Sequence, residues 1–230
     1  MRFGLQKLTL LDYPGAVACT AFSCGCNFRC PFCHNGSLVT GSESALELDF
    51  SSLLKFLEKR TGILDAVCFT GGEFLLHPEA PEAAAAAKAL GYKVKIDTNG
   101  SCPEALEKLI ASGDADMVAM DIKNSQAKYP ETCQWSSDLL DKVCASVELL
   151  KKSPVAYEFR TTVTGLFHRL SDFEEIGRWL AGAPAYFLQP FVPAGDLLDP
   201  GRDYTVSDSF LREALETVRP YVPAAAIRGR

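Results

Sequence analysis

A chain of 230 residues can bury a large core, and 47% hydrophobic with 23% charged residues is the balance of an ordinary globular protein. The net charge of −6 argues against a nucleic acid or an anionic membrane surface as the main partner. Nothing reads as a leader or a membrane span: Lys7, Asp12 and Pro14 interrupt the first residues, and Pro184, Pro190 and Pro193 break the longest uncharged run, Trp179 to Gly195.

Strand and helix patterns alternate without a break in composition, so residues 1–230 read as one domain. Ala16–Ser23 is a short apolar strand, and Ser51–Lys59 carries Leu53, Leu54, Phe56 and Leu57 at helical spacing. A second strand, Asp65–Thr70, runs into Gly71-Gly72-Glu73. His77, beside Pro78, reads as the start of the next helix. That helix, about Glu79–Leu90, has Glu79 and Glu82 in its first turn, Lys88 near its end and Gly91 as its stop, in keeping with helix caps and the helix dipole. Strand three, Lys93–Asp97, ends in the turn signal Thr98-Asn99-Gly100, and Pro103 opens another helix.

Strand four is Met117–Asp121, followed by a helix from about Ser137 to Lys152 that buries Leu139, Val143, Val147 and Leu150. Strand five is Ala156–Val163. His168 reads as a loop residue, and Ser171 with Glu174 as a capping box for a helix through Leu180. Strand six, Ala185–Phe191, and a helix from about Ser207 to Val218 complete the chain. Six βα units in one run predict a parallel sheet with crossover helices. That is two units short of a closed eight-fold barrel, so the expected fold is a partial, open-sided (β/α)6 TIM-like barrel.

Three of the nine cysteines crowd into the run Cys26-Asn27-Phe28-Arg29-Cys30-Pro31-Phe32-Cys33-His34-Asn35. Thiolates are soft ligands suited to iron–sulfur clusters or zinc. The C-x3-C-x2-C spacing places three of them around one centre without a fourth, which on a four-iron cluster leaves one iron open. A Cys3His zinc knuckle completed by His34 is the alternative, and Cys24 is an alternative fourth ligand. An odd cysteine count in a chain of this length does not fit a disulfide framework. Cys19, Cys68 and Cys144 read as small core residues, while Cys24, Cys102 and Cys133 have no paired spacing. Ligands of parallel α/β folds bind beyond the carboxyl ends of the strands. There the chain places the cysteine loop, Gly71-Gly72-Glu73, Asp97-Thr98-Asn99, Asp121-Ile122-Lys123, Glu158 and Arg160, and Gln189. Each group alone reads as a turn or a solvated pair. A zinc knuckle does not explain their joint placement on one rim.

With these residues the chain resembles the radical S-adenosylmethionine enzymes, whose core is a partial barrel of this kind. In that family the open iron of a [4Fe-4S] cluster chelates the amino and carboxylate groups of S-adenosyl-L-methionine, and an electron from the cluster cleaves it to methionine and a 5′-deoxyadenosyl radical. The resemblance implies Cys26, Cys30 and Cys33 as cluster ligands and Phe32 beside the adenine. Nearly the whole chain is similar to the glycyl-radical-enzyme activating proteins, especially those resembling anaerobic ribonucleoside-triphosphate reductase activators. The shared pieces are Leu11-Asp12-Tyr13-Pro14-Gly15, Cys33-His34-Asn35, Asp97-Thr98-Asn99-Gly100, Asp121-Ile122-Lys123 and the segment Phe159 to Gly165.

Carried onto this chain, the resemblance implies that Gly71, Gly72 and Glu73 hold the methionine amino group, with Asp97 assisting. Lys123 reaches the carboxylate or ribose, and Arg160 lies beside the cofactor near the reaction centre. Thr98, Asn99, Asp121 and Gln189 complete the cofactor set. A monovalent cation is implied beside Asp97, Thr98, Asp121 and the Ala119 carbonyl. The chain departs from the pattern at Phe74, where proline is common, and at Val192, where some activators carry a histidine. His34, His77 and His168 receive no catalytic role. The implied partners are a glycyl-radical enzyme and a low-potential electron donor such as flavodoxin or ferredoxin, in the reducing cytoplasm. The competing functions are a radical enzyme acting on a small molecule, such as a modified nucleobase precursor, and a zinc-bound interaction module.

Overall fold

β-branched and aromatic residues at alternate positions give each strand two usable faces, and the strands join into one sheet. The structure is a computed structural model describing residues 1–41, 46, 48–135 and 138–229. In chain order the strands are β1 (Arg2–Thr9), β2 (Ala18–Ser23), β3 (Leu48–Asp49), β4 (Ala66–Gly71), β5 (Lys93–Thr98), β6 (Met117–Asp121), β7 (Ala156–Val163), β8 (Tyr186–Pro190) and β9 (Ala226–Ile227). The helices are α1 (Gly36–Val39), α2 (Phe50–Arg60), α3 (Ala80–Ala89), α4 (Pro103–Ser112), α5 (Tyr129–Cys133), α6 (Asp138–Lys152), α7 (Leu170–Trp179) and α8 (Asp208–Val218).

The nine strands lie in the order β3-β1-β2-β4-β5-β6-β7-β8-β9. β2 and β4 to β8 run parallel, as the six predicted units require, and the sheet is open. Two edges extend it beyond the expectation. β1, which the sequence pattern does not mark, pairs antiparallel with β2 and carries β3 on its other side; β9 adds a parallel strand against β8. Along β1 only Phe3 and Thr9 are buried, so it lacks the apolar run that marks the inner strands.

Helix ends follow local chemistry. Asp49 caps α2 by accepting from Ser52 N, and Ser207 caps α8 by accepting from Phe210 N. The α7 start is a correction: Asp172 Oδ2 accepts from Arg169 N at 2.7 Å, so Arg169 and Asp172 make the cap and Ser171 lies inside the helix. His77 does not begin α3 either, because a 3-10 turn, Phe74–Leu76, precedes it and the helix starts at Ala80 after Glu79. Of the predicted helix 137–152, Ser137 lies outside the described residues and the rest is α6. No helix among the described residues is long and apolar enough to cross a membrane.

Alternation sorts each strand. On β4, Val67 and Phe69 face the main core with the helices, whereas Ala66 and Cys68 face the barrel interior around Tyr13. Tyr13, from the turn between β1 and β2, fills the amino-terminal end of the barrel with Ala16 and Ala18. Farther round, Arg228 reaches back from β9 to Glu158 at 2.6 and 2.9 Å and stacks over Phe187 at 3.4 Å. The interior is thus apolar under β2 and β4 and charged under β5 to β8.

Candidate functional site

Two glycines fix where the cysteine loop sits. Gly71 has φ of +125°, and a Cβ there would lie 2.3 Å from Ser23 N, while a Cβ on Gly72 would lie 1.9 Å from Gly25 O. Only glycine lets the end of β4 touch the start of that loop. Gly72 N and Glu73 N donate across the contact to Ser23 O and Gly25 O at 3.0 and 2.8 Å, and His77 Nε2 donates to Cys24 O at 2.8 Å. The loop then lines, with the carboxyl ends of the strands, one cavity of about 800 Å³ counted to its open mouth.

Cys26, Cys30 and Cys33 share one wall of the cavity. Burial pushes the Cys26 thiol up to about 12 and raises Cys33 as well, because a thiolate there is poorly solvated. Cys30 moves the other way: the Cys133 thiol hydrogen-bonds to it and favours its ionised form. Cys26 Sγ accepts from Phe28 N at 3.3 Å and from Asn99 Nδ2 at 3.7 Å. Donors aimed at sulfur stabilise metal-bound thiolates and orient them. Cys24 does not line the cavity; its thiol faces Leu38 O at 3.5 Å. Cys19 and Cys68 are fully buried core residues, and Cys144 is half-buried in α6.

The facing wall is a chain of ion pairs. Arg160 NH1 lies 3.1 Å from Asp97 Oδ2 and its Nε 2.9 Å from Asp121 Oδ1, while Lys123 Nζ lies 2.9 Å from Asp121 Oδ2. Burial alone would raise the Asp121 carboxyl, but the Arg160 and Lys123 charges overcome it and bring it down to about 2. The Lys123 ammonium and Arg160 guanidinium are held above their ordinary values against the same burial, chiefly by Asp121. A further lysine, Lys95, 2% exposed, places Nζ 2.8 Å from Asp97 Oδ1.

Glu73 braces the cysteine loop to the end of β5. Its Oε1 accepts from Thr98 Oγ1 at 2.8 Å and Leu75 N at 3.1 Å, and its Oε2 from Asn99 N at 2.6 Å. It is 1% exposed, and that burial pushes its carboxyl up to about 7 despite three donors favouring the charged form. Asn99 Nδ2 also donates to Asn27 Oδ1 at 3.0 Å, tying the same strand end to the cysteine run.

Every residue assigned to the cluster, the cofactor or the reaction lines this cavity except Gln189; Glu158, expected on the same rim, is buried and pairs with Arg228 instead. Gln189 pairs in register with Thr162 on β7, yet it is Thr162 that reaches the cavity. Phe32 is buried against Phe167 and Tyr204. One departure has a local reason, since Phe74 stacks on Phe69 at 4.7 Å inside the core; at Val192 the contact is made by the carbonyl, which accepts from His34 Nε2 at 2.7 Å and is independent of the side chain. His34 therefore joins the cysteine loop to the exit of β8. Unanticipated lining comes from Phe28, His34, Asn35 and Thr70. His168 is in a loop as expected, but buried: Nδ1 accepts from Thr164 N and Nε2 donates to Lys123 O at 3.0 Å, so it anchors the Lys123 backbone. Burial drops its imidazole to about 4 and keeps it neutral.

Comparison with known proteins agrees with this geometry. A sequence profile described as the Radical SAM superfamily matches residues 20–180. A Methanocaldococcus jannaschii protein named as a putative glycyl-radical enzyme activating enzyme is 31% identical over 231 residues, spanning 98% of this chain and 94% of that protein. The pyruvate formate-lyase-activating enzyme of Clostridium pasteurianum is 32% identical over 124 residues, spanning 52% of this chain and 51% of the enzyme. Among solved structures, Streptococcus suis SuiB bound to S-adenosylmethionine superposes with a TM-score of 0.70 at 14% identity. The match covers 90% of this chain and 49% of SuiB, so this chain spans about half the length of that protein.

Proposed function

The chain belongs to the radical SAM superfamily, and from that premise we propose that it activates a glycyl-radical enzyme. With a [4Fe-4S] cluster and S-adenosyl-L-methionine it generates a glycyl radical on a partner protein, and the partner we favour is anaerobic ribonucleoside-triphosphate reductase. The reading rests on one observation above all: three thiols and a line of paired charges face each other across a single cavity. Similarity to the M. jannaschii protein along nearly all of both chains supports a protein substrate over a small molecule. The chain acts as a single cytoplasmic domain supplied with electrons by a low-potential donor such as flavodoxin or ferredoxin.

The donor chemistry fits both groups. Cys26, Cys30 and Cys33 would ligate three irons, and Asn99 and Cys133 direct donors at the ligand sulfurs. Gly71, Gly72 and Glu73 would meet the methionine amino group, with Asp97 beyond them. Lys123 would meet the carboxylate or ribose, and Phe32 would pack at the adenine. When bound, the cluster and S-adenosylmethionine supply reductive cleavage of a carbon–sulfur bond and abstraction of one substrate hydrogen. The chain's own residues supply position. Thr98 and Asn99 hold Glu73, His168 holds Lys123, and the two aspartates hold Arg160 toward the mouth where a partner loop would enter.

Anaerobically reconstituted protein, given a reduced donor, S-adenosylmethionine and the reductase, should yield 5′-deoxyadenosine and a doublet electron paramagnetic resonance signal on the reductase. Turnover of a free small molecule, with no radical on any glycyl-radical protein supplied, would overturn the proposal.

A further inference from the structure

The residues that the family resemblance offers to a monovalent cation do not fit one. Such an ion needs several free oxygen ligands, and in this chain the side-chain oxygens of that set are taken. Both oxygens of Asp97 and both of Asp121 face a positively charged side chain at 2.8 to 3.1 Å. Thr98 Oγ1 donates to Glu73 and accepts from Gly100 N at 3.0 Å. Charge tells the same story. Lys95, Lys123 and Arg160 already bring three positive charges to two carboxylates. A fourth cation would be repelled, whereas one incoming carboxylate would complete the balance.

We infer that Lys95 is a built-in cation, its ammonium supplying at Asp97 the positive charge that the resemblance assigns to a monovalent metal ion. Nζ lies 2.8 Å from Asp97 Oδ1 and donates to the Asp12 carbonyl at 2.6 Å. Asp97 Oδ1 is buried and receives no hydrogen bond from the described residues, so its compensation from Lys95 is that of a charge. A carboxylate on one side and a peptide carbonyl on the other make the kind of oxygen cradle a metal ion would have. The second ligand comes from the Leu11-Asp12-Tyr13-Pro14-Gly15 turn, which the proposed function otherwise leaves without a task. That turn is itself fixed: Asp12 Oδ2 accepts from Thr20 Oγ1 at 2.5 Å, and Tyr13 is packed inside the barrel. Unlike an exchangeable ion, the ammonium is tethered through β5 and is always present.

The inference rests on the proposed cofactor site, so its test has one arm that needs no cofactor. Apoprotein melting temperature and the S-adenosylmethionine dissociation constant of the reconstituted protein are measured in potassium chloride and in choline chloride at equal ionic strength. The wild type should melt at the same temperature and bind equally in both. Lys95→Ala removes the ammonium and leaves room for an ion. Its melting temperature should be lower than wild type and recover with potassium in the saturable manner of a ligand that binds only the folded state, with no recovery in choline. A wild type that loses melting temperature, or more than about tenfold in affinity, on exchange of potassium for choline would overturn the inference. So would a Lys95→Ala protein that melts like wild type in choline. If the variant does not fold, the wild-type exchange decides alone. If S-adenosylmethionine fails to bind in either salt, the functional proposal fails while the melting arm still judges Lys95.

Discussion

The two walls of the cavity solve opposite problems. On the cysteine wall, Cys26 and Cys33 sit half-buried as neutral thiols, and loss of solvation opposes their ionisation. On the strand-end wall, Asp97, Asp121, Lys123 and Arg160 are ionised and already matched within the chain. In the proposed function the first wall is completed by a bound cluster, whose metal would compensate the thiolates at which donors already point. The second is complete without a ligand and can only exchange partners. Preorganised charge of that kind needs little rearrangement when a zwitterionic cofactor arrives. The contrast predicts that damage to the first wall removes the cofactor and spares the fold, whereas damage to the second strains the fold and spares the cluster.

The largest effect belongs to the cysteine wall. Reconstituted wild type should carry about four irons and four sulfides per chain, as this cluster type requires. Cys26→Ala, Cys30→Ala and Cys33→Ala should each carry almost none by iron assay, with apoprotein melting near wild type, while Cys68→Ala keeps its iron. Stoichiometric zinc without iron uptake would break the comparison outright. Next comes Arg160→Met, which strips Asp97 Oδ2 and Asp121 Oδ1 of their partner. Breaking a buried pair on one side costs about 3–5 kcal/mol, and a domain of this size loses about 2–4 °C of melting temperature per kcal/mol. The sign of its pH dependence is fixed by Asp121. A carboxyl lowered to about 2 stabilises the fold above its ordinary value of 3.8 and loses that contribution as pH falls through 2, so the variant's deficit should shrink in acid. Iron content should be unchanged.

Much of this arrangement is legible in the sequence, and the parts that are not share a cause. Met117–Asp121 and Ala156–Val163 are strands from first to last residue as read, because a buried parallel strand is bounded by its own apolar run. β1 escapes notice because a strand flanked on its outer side only by the two-residue β3 carries Gln6 and Lys7 where an inner strand would carry valine. The strand-end residues are legible for a geometric reason: each lies in the carboxyl-terminal half of its strand or just beyond it. Gln189 satisfies that rule and still misses the cavity, since the rule gives a strand's facing and not where the cavity ends. Lys95 is the converse. In Lys93-Val94-Lys95-Ile96-Asp97 the alternation puts both lysines and Asp97 on one face, yet Lys93 is exposed and Lys95 is sealed in. Cys133, His168 and Asn27 act through contacts between loops far apart in sequence, and no local pattern encodes those.

A brace between the walls should show itself through pH. Glu73, raised to about 7, is stabilising only when protonated: its contribution is full below 4.5 and is lost as pH rises through 7. His168, lowered to about 4, does the reverse. A buried neutral imidazole contributes stability above its ordinary 6.5 and loses it as pH falls through 4. Between roughly pH 4.5 and 6.5 the two slopes cancel, each being about 1.4 kcal/mol per pH unit. Apoprotein stability from urea melts should therefore be nearly flat there in wild type. Glu73→Gln should leave it rising with pH, and His168→Gln should leave it falling. Parallel flat profiles in both variants would show that neither group is held as the structure has it.

The smallest expected effect tests whether the cysteine wall is tuned as well as built. Cys133 is 2% exposed, and burial together with its contact to Cys30 holds its proton on sulfur well above the ordinary range. It is therefore placed to act as an S–H donor to the Cys30 sulfur, a cluster ligand in the proposed function. Reducing a cluster adds negative charge to its sulfurs, so a donor there favours the reduced state, and hydrogen bonds to sulfur are one of the terms that set cluster potentials. Cys133→Ala removes the donor and leaves a small apolar side chain in an apolar niche beside Phe28 and Tyr129. If the weak contact is worth about 0.5–1 kcal/mol, the midpoint potential should fall by about 20–45 mV on the scale of 59 mV per tenfold change for one electron. Iron content and melting temperature should stay close to wild type. A redox titration followed by electron paramagnetic resonance reads the shift directly. An unchanged or raised potential would mean that Cys133 merely packs behind Cys30, and that the sulfur wall owes its electronics to the amide donors on Cys26 alone.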